Sequence, residues 1–323
     1  MSAALVHREP TRRLPLAHRA AVEPLANGAV LPGSAYRVLN HVVDGGMGQL
    51  FAVEHAALGR RALLKTLLPS LARRAELADR LTKEGRILAS LSIPGVPAIF
   101  DAGELCDGRP FLVLEHLPGS NLRDELRRHR VFSVPAVVRI GVELLNVLAA
   151  VHAAGVLHRD IKLDNVLLGS DGRVSLIDFG IAKRFGERLS LTAQNVAFGT
   201  PRFMAPEQCK SGTIDERADL YAVGLVLYEL AAGVGPFDDA CTVEAQRYAH
   251  EYRTPEPPSR LAPQLIPAAI DRVILRALAK RPQARFESAL DMLTALEQAA
   301  FVGFGIDDAA TDLDVFVPSC TMP

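Results

Sequence analysis

The stretch HRDIKLDN at residues 158–165 decides the fold, and the tripeptide DFG at residues 178–180 supports it. The first motif follows an apolar stretch that is predicted to be a helix ending at Gly155, and it leads into the short apolar strand 166–168. The second motif follows another apolar strand, 174–177. Aspartate and asparagine in loops usually cap helices or form turns. Two such motifs in order, each at a strand or loop junction, instead indicate a catalytic site.

The side chains of these two motifs match the needs of phosphoryl transfer. This reaction requires a metal ion on the phosphates, positive charge on the transferred group and an acceptor for the proton of the nucleophile. Asn165 and Asp178 offer the hard oxygen ligands that Mg²⁺ prefers, with Mn²⁺ as an alternative. Asp160 is predicted to accept the hydroxyl proton, and Lys162 is predicted to reach the γ-phosphate.

These motifs resemble those of the eukaryotic-like (Hanks-type) serine/threonine protein kinases of bacteria, over residues 36–298. The resemblance implies an α+β, bilobal protein-kinase-like fold, with a small β-rich N-lobe and a larger, mainly α-helical C-lobe. It also implies that MgATP binds between the lobes and that its γ-phosphate is transferred to Ser and Thr hydroxyls of proteins. Strand patterns in the first third of the chain and helix patterns in the rest agree with the α+β class.

Further residues take their roles from the same resemblance. Lys65 matches the strand lysine that contacts the α- and β-phosphates, and Glu84 matches the helix glutamate that pairs with it. Glu115 and Leu117 match hinge residues whose backbone groups face adenine, with Leu114 as the gatekeeper. In isolation such a lysine and glutamate are more often an ordinary surface ion pair. The order of all the motifs along the chain favours the kinase interpretation.

The residues after the second motif resemble an activation segment, which ends near Thr200 and Glu207. Ser190 and Thr192 are predicted autophosphorylation sites, Thr192 first, and a phosphate there is expected to pair with Arg159. An unmodified, solvated loop is the alternative, because loops are rich in hydroxyl residues.

Two later residues complete the resemblance. Asp219 matches the buried aspartate that anchors the catalytic loop, although it could simply be a charge at a helix N-terminus. Arg285 matches the arginine that forms a salt bridge with Glu207.

The nucleotide site departs from the family at two positions. The predicted contacts besides Lys65 and the hinge are Val43, Asp44, Gly45, Gly46, Met47, Gly48, Leu50 and Leu63. Val43 stands where the family has its first glycine, so the loop is predicted to be stiffer there, and alone this loop is more often a hairpin turn. Leu63 replaces a small alanine that packs on adenine. Overpacking costs about 1–3 kcal/mol, or about 5- to 150-fold in ATP affinity, unless Leu50 absorbs it.

Asp164 and Glu229 suggest a preference for basic substrates. In basophilic relatives, acidic residues at these positions meet an arginine two residues before the target hydroxyl. A structural role for Glu229 is an equal alternative, since charged residues of helices often pair internally.

The kinase-like part is predicted to have flexible segments on both sides. The predicted boundaries are an N-terminal arm 1–34, a kinase domain 35–298 (N-lobe 35–114, hinge 115–118, C-lobe 119–298) and an acidic C-terminal tail 299–323.

Composition restricts the partners and the location. The 36 Lys and Arg residues balance 37 Asp and Glu residues, which gives no global attraction to nucleic acid or to a membrane surface. The four cysteines are scattered, and neither an export signal nor a membrane-spanning helix is expected, so a cytoplasmic location is predicted. The expected partners are proteins with Ser or Thr, together with a transient homodimer for trans-autophosphorylation.

Two other functions stay open. A pseudokinase scaffold with weak ATP binding is favoured by Val43 and Leu63. A small-molecule phosphotransferase would share a catalytic aspartate and a downstream asparagine. The segment from residue 178 to Glu207 argues against it, since that segment resembles a peptide-docking platform.

Overall fold

A computed structural model of the chain describes residues 25–179, 183–184, 201–209 and 214–304. By internal contacts the chain divides into two compact units. The first consists of residues 1–79 and 101–113, and the second of residues 80–100 and 114–323. The predicted α+β class is confirmed, because the first unit is mainly strand and the second mainly helix.

A five-stranded sheet makes up most of the first unit. Its strands are β1 (Tyr36–Asp44), β2 (Gly48–His55), β3 (Arg61–Leu67), β4 (Ile99–Glu104) and β5 (Pro110–Glu115). They lie in the order β1-β2-β3-β5-β4, and β2 pairs antiparallel with both β1 and β3. Alternate residues of β3 are buried, which is the pattern of a strand with one face on the core.

Helices dominate the second unit, together with short strands that hold its loops. The helices, the first of which begins in the first unit, are α1 (Ala75–Ala89), α2 (Leu122–His129), α3 (Val134–Ala153), α4 (Arg217–Ala232), α5 (Val243–Tyr252), α6 (Pro258–Leu261), α7 (Ala268–Ala277) and α8 (Ala289–Phe304). The strands are β6 (Ser120–Asn121), β7 (Val156–Leu157), β8 (Val166–Leu168), β9 (Val174–Leu176) and β10 (Lys183–Arg184). β6, β8 and β9 form one sheet, and β7 pairs with β10.

The core of the second unit surrounds α3 and α4. α3 packs against α8 and α4, and nearly every side chain of α4 is buried. Gly141 allows this approach, because a Cβ at that position would lie 2.6 Å from the Leu296 side chain and 3.0 Å from Leu227. A side chain at residue 141 would therefore force the Leu296 and Leu227 side chains to move.

The prediction that no helix could span a membrane was too strict. α3 passes that test by length and composition, since its mean hydropathy is 1.8 in the most apolar window. However, 61% of that window is buried inside the protein. Packing against neighbouring helices accounts for the apolar composition of α3.

Helix ends agree with the capping residues that the sequence supplies. Ser133 accepts a hydrogen bond from the Ala136 backbone N–H at the start of α3. Gly155 and Gly233, which follow α3 and α4, have left-handed φ angles of 74° and 78°. One boundary differs from the prediction, because α8 continues to Phe304, beyond the predicted start of the tail at residue 299.

The two units also differ from the predicted N-lobe of residues 35–114. Residues 80–100 group with the second unit. One reason is local: the Leu176 N–H donates to the Gly95 carbonyl at 2.7 Å, and Gly95 lies against the Val147 side chain.

His250 is a buried histidine of the second unit. Its Nδ1 accepts a hydrogen bond from the Tyr221 hydroxyl at 2.9 Å, and its ring packs edge-on against Phe237. It also hydrogen-bonds to the backbone of Arg202. Burial, and secondarily the charge of Lys280, lowers the pKa of His250 to about 3. The folded protein therefore holds this imidazole in its neutral form.

We expect the free energy of unfolding to fall as the pH is lowered from 6.5 towards 3. In that window the unfolded chain binds a proton at residue 250 and the folded chain does not, which costs at most about 1.4 kcal/mol per pH unit. His158, which is buried with a lowered pKa, acts in the same direction. Urea unfolding at several pH values measures the slope. His250→Gln should make it less steep, and an unchanged slope would contradict this assignment.

Candidate active site

Asp219, near the start of α4, anchors the catalytic loop. Its buried carboxylate accepts backbone N–H bonds from His158 at 2.9 Å and from Arg159 at 2.7 Å. The ring of His152 lies 2.9 Å from the same carboxylate. Burial alone would raise the pKa of Asp219, but its bonds to His152 and to the loop backbone hold that pKa below its ordinary value. The carboxylate is therefore charged and fixes the start of the loop, as its position in the motif predicted.

Arg159 adopts a strained backbone conformation. Its φ of 69° lies in the left-handed region, which costs a residue other than glycine about 1–3 kcal/mol. The backbone is held on both sides, because its N–H donates to Asp219 and its carbonyl accepts from the Gln208 amide at 3.0 Å. These two bonds fix the direction in which the chain enters Asp160.

Asp160 lies at the centre of a short polar network. Lys162 Nζ donates to its carboxylate at 2.8 Å, and the Asn165 amide donates to the same oxygen at 3.0 Å and to the Asp160 carbonyl at 2.8 Å. Burial raises the pKa of Asp160 and the charge of Lys162 opposes that rise, with a net upward shift. The sequence-predicted residues Asp160, Lys162 and Asn165 are thus brought together, and two hydrogen bonds hold the Asp160 carboxylate in place.

His158 is a buried, neutral histidine whose ring hydrogen-bonds to the backbone of the catalytic loop and of the next strand segment. Its Nε2–H donates to the Ile177 carbonyl at 3.1 Å, and its Nδ1 accepts from the Asp160 N–H at 3.3 Å. Burial lowers the pKa of His158, which agrees with these two roles. The ring packs edge-on against Phe179, with centroids 4.6 Å apart, and so links the two sequence motifs.

Asn165 and Asp178 occupy neighbouring segments. Val166 pairs with Leu176 in the β8–β9 ladder, and one step further the Ile177 N–H donates to the Asn165 carbonyl at 2.9 Å. Asp178 follows directly with a left-handed φ of 63°. A strained backbone at a non-glycine residue of this kind is typical of a functional site.

The residues around Asp178 fit a magnesium ion that is shared with a phosphate ligand. The Asn165 amide nitrogen bonds to Asp160, which turns the amide oxygen the other way as a candidate ligand. Within the described ranges no three His, Cys, Asp or Glu side chains form a metal cluster. Mg²⁺ often takes only one or two protein ligands and completes its shell with phosphate oxygens and water. Asp178 and Asn165 suit that mode of binding.

The predicted phosphate loop connects β1 and β2 in the first unit. Val43 pairs with Leu50 and Asp44 with Gln49, so Gly45, Gly46 and Met47 form the turn. The Asp44 carboxylate accepts a bond from Gln49 at 2.9 Å and contacts the His41 ring at 2.7 Å. These contacts hold the two ends of the turn together.

The backbone accepts a valine at position 43 but has no room for a side chain at position 48. Among the described residues, left-handed φ angles outside glycine occur only at positions 130, 159 and 178, so Val43 is accommodated in its strand without strain. A Cβ at Gly48 would lie 2.6 Å from the Thr66 carbonyl oxygen. Gly48 is therefore required for the close approach of β2 to β3.

Lys65 and Leu63 lie on the same face of β3, since alternate residues of a strand share a face. The register places Leu50 opposite Lys65 and Ala52 opposite Leu63. Leu50 is therefore a diagonal neighbour of Leu63, and the direct neighbour is the small side chain of Ala52. The predicted crowding by Leu63 therefore faces a small cross-strand neighbour rather than Leu50.

The hinge residues and Glu84 belong to the second unit. The Glu115 N–H donates to the Ala98 carbonyl at 2.8 Å, and the contact of the Glu115 backbone with adenine stays a prediction. Leu117 is partly exposed, and Leu114 is buried at the predicted gatekeeper position. Glu84 is buried on α1, and its pairing with Lys65 stays a prediction.

The end of the predicted activation segment is tied down by an ion pair. Arg285 donates to both carboxylate oxygens of Glu207, at 2.6 and 2.8 Å, and also to the Arg217 carbonyl at 2.8 Å. The predicted partner of Glu207 is therefore present, in a buried bidentate geometry. Ser190, Thr192 and Thr200 lie outside the described residues.

Asp164 and Glu229 share a partner within the protein, Arg123. The substrate hypothesis had expected an arginine of the substrate at these carboxylates. Glu229 accepts bonds from Arg123 at 2.5 Å and from Arg202 at 2.7 Å, and Arg123 also lies 3.5 Å from Asp164. The alternative of internal pairing is what the structure supports for Glu229.

The sequence matches the model of one protein family. The family is described as the protein kinase domain, and the match covers residues 36–296. The chain belongs to the protein kinase family. The resemblance read from the motifs is thus confirmed, and members of this family generally use ATP and Mg²⁺.

Bacterial serine/threonine-protein kinases are among the curated relatives of this kinase chain. Pkn1 of Myxococcus xanthus is 37% identical over 82% of the chain and 38% of its own length. A probable serine/threonine-protein kinase of Corynebacterium efficiens is 35% identical, over 81% of the chain and 41% of its own length. The chain therefore spans about two-fifths of the length of these relatives.

The fold of the kinase chain is also that of a solved bacterial kinase domain. The crystal structure of the Mycobacterium tuberculosis PknI kinase domain is 29% identical, with a TM-score of 0.65. The alignment covers 86% of the chain and all of that domain. The similarity confirms the predicted protein-kinase-like fold.

Arg80 is a charged residue of the kinase site that sequence reasoning missed. It lies on α1 one turn before Glu84 and interacts electrostatically with Asp178, Glu84 and Asp160. Burial lowers the pKa of Arg80, while these three carboxylates oppose that shift. Its spacing of four residues from Glu84 was the available signal, because residues so spaced share a helix face.

Proposed function

We propose that the chain is an ATP-dependent serine/threonine protein kinase. The observation that carries the proposal is the Asp160 carboxylate, held by Lys162 and Asn165 beside Asp178. A carboxylate oriented in this way suits acceptance of the proton from a substrate hydroxyl. The names of the bacterial relatives support Ser and Thr as the acceptors.

Each residue of the site has one proposed task. Asp160 orients the Ser or Thr hydroxyl and accepts its proton, and Lys162 stabilises charge on the γ-phosphate. Lys65 binds the α- and β-phosphates, and Asn165 with Asp178 would hold Mg²⁺ or Mn²⁺. When bound, the metal ion neutralises charge on the phosphates. The hinge backbone at Glu115 and Leu117 would bind adenine.

The proposed substrates are proteins with Ser or Thr. Neither nucleic acid nor a membrane is proposed as a partner. We further propose a cytoplasmic location and a transient homodimer that phosphorylates Thr192, and then Ser190, in trans. A phosphate on this segment would pair with Arg159. The balanced charge of the chain is consistent with these proposals.

Incubation of the full chain with γ-labelled ATP and Mg²⁺ tests the function. We expect label on the chain itself and on an added protein, with phosphoserine and phosphothreonine but no phosphotyrosine. Lys65→Met and addition of a chelator should each abolish incorporation. Equal, negligible labelling in wild type and Lys65→Met would support a pseudokinase instead. Labelling of an aminoglycoside, with none on protein, would support a small-molecule phosphotransferase.

Replacing Leu63 by alanine should tighten ATP binding. Removal of three carbons restores the small residue that packs on adenine in the family, and the cross-strand neighbour of Leu63 is the small Ala52. We therefore expect the KM for ATP to fall by about 5-fold, near the lower limit for overpacking. Leu58→Ala, an exposed change in the turn before β3, is the matched control. A KM that rises in Leu63→Ala would show that Leu63 contributes to binding.

A further inference from the structure

Arg123, near the start of α2, joins two carboxylates beside the catalytic loop. Its Nη1 donates to Glu229 Oε1 at 2.5 Å, and its Nε lies 3.5 Å from Asp164 Oδ2. Arg202 donates from one nitrogen to Glu229 and to Asp238, both at 2.7 Å. These five residues are called the arginine cluster below.

The arginine cluster is buried on one side and exposed on the other. Both guanidinium groups lie over the Phe203 ring, at 5.8 and 5.9 Å from its centroid. The Glu229 side chain is 3% exposed, whereas the Asp164 side chain is 53% exposed. The cluster therefore begins at a buried carboxylate and reaches the surface at Asp164.

The open side of the cluster adjoins the proposed site of phosphate transfer. Asp164 lies in the turn Leu163–Asn165, and Asn165 contacts the Asp160 carboxylate. An extended peptide advances about 3.3–3.6 Å per residue, so three residues on either side of the acceptor span about 10 Å and can come close to Asp164. Charge in the cluster can therefore affect which neighbours of the acceptor are tolerated.

Arg123 decides the charge that a substrate meets there. Two guanidinium groups face three carboxylates, so the cluster has a formal net charge of −1 (+2 and −3). Without Arg123 the formal charge becomes −2: Glu229 and Asp238 keep Arg202, and Asp164 loses its contact with the cluster. A buried carboxylate that loses one of its two guanidinium partners is destabilised, and a guanidinium from another molecule would relieve that cost.

We propose that Arg123 is a specificity-determining residue that prevents selection of basic residues near the acceptor, by holding Asp164 and Glu229 itself. The inference rests on the proposed kinase function. The wild-type protein should treat an arginine near the acceptor as it treats a glutamine. A variant without the Arg123 charge should select arginine at one or two positions.

A peptide series measures this selection. Each peptide carries one Thr acceptor and a single Arg, placed in turn at each of the four positions on either side of the Thr. A matched peptide carries Gln in place of that Arg. For the wild-type full chain, kcat/KM for each Arg peptide divided by kcat/KM for its Gln counterpart should be near one. In Arg123→Gln, which keeps the length of the side chain, this ratio should rise about 10- to 100-fold at one or two positions. Arg127→Ala, an exposed change on the same helix, should leave every ratio unchanged.

A purely structural role of Arg123 predicts a different result. Loss of packing would lower activity on all peptides equally, so the ratios would stay near one while the melting temperature fell. Such an outcome in a folded Arg123→Gln would overturn the proposal, and so would a preference for arginine in the wild type. Arg123→Lys, which keeps the charge, should retain ratios near one.

A binding measurement separates this proposal from the kinase function. Fluorescence anisotropy of labelled Arg and Gln peptides needs no turnover. Stronger binding of the Arg peptide by Arg123→Gln than by wild type is the expected result, and equal binding would overturn the proposal. If no peptide is phosphorylated by the wild type, the proposed function fails, while the anisotropy result still decides the role of Arg123. If Arg123→Gln does not fold, Arg123→Met takes its place.

Discussion

Asp160→Asn should lower kcat for phosphate transfer by about 10²- to 10⁴-fold, the range that a general base contributes. Asparagine has the shape of aspartate, so the bond from the Asn165 amide to the side-chain oxygen can persist, as can that from Lys162. What is lost is the negative charge that orients the hydroxyl and accepts its proton. Steady-state turnover of labelled ATP measures the effect.

Asp171→Asn is the matched control for this prediction. Asp171 lies in the exposed turn between β8 and β9, and the same change there should leave kcat unchanged. Equal activity of Asp160→Asn and wild type would contradict the assignment of the base. An equal loss in both variants would show that the effect is not specific to Asp160.

The pH profile gives an independent signature of the same carboxylate. Burial raises the pKa of Asp160, although Lys162 opposes the rise. Only the deprotonated form can accept a proton, so the rate should fall as the pH is lowered through that raised value. The acid limb of kcat should therefore lie above the range of an ordinary aspartate, and Asp160→Asn should lack it.

The parts of the structure that the sequence predicted are those fixed by local chemistry. Ser133 caps α3 and Gly233 ends α4 because a hydroxyl and a residue without Cβ satisfy the helix ends. The spacing of the two motifs placed Asn165 and Asp178 on neighbouring segments, because a short hairpin connects them. In these cases the residue type and its near neighbours are sufficient.

The parts that escaped prediction depend on contacts between distant segments. The left-handed φ of Arg159 has no local signal, since it is imposed by Asp219 and Gln208 from far along the chain. Arg123 belongs to α2, a short helix that was not predicted, and its partner Glu229 is 106 residues away. Pairing over such distances follows from packing, which a single sequence does not reveal.

Asp219→Asn should lower the free energy of unfolding and the turnover together. The carboxylate accepts two backbone bonds from the catalytic loop, and asparagine offers only one acceptor oxygen. One buried N–H then loses a charged partner, and with the lost contact to His152 this should cost about 3 kcal/mol in the free energy of unfolding.

The loss of activity in Asp219→Asn would have a positional cause. Arg159 has an unfavourable backbone conformation that Asp219 maintains, so release of its N–H lets the loop relax and displaces Asp160. A displacement of 1 Å can cost about 10²-fold in rate, which is the expected fall in kcat. Urea unfolding and steady-state kinetics on one preparation test both effects, with Asp291→Asn at the exposed start of α8 as the control. Lower stability with an unchanged kcat would show that the loop keeps its geometry without this anchor. It would also show that the strained backbone of Arg159 does not affect turnover.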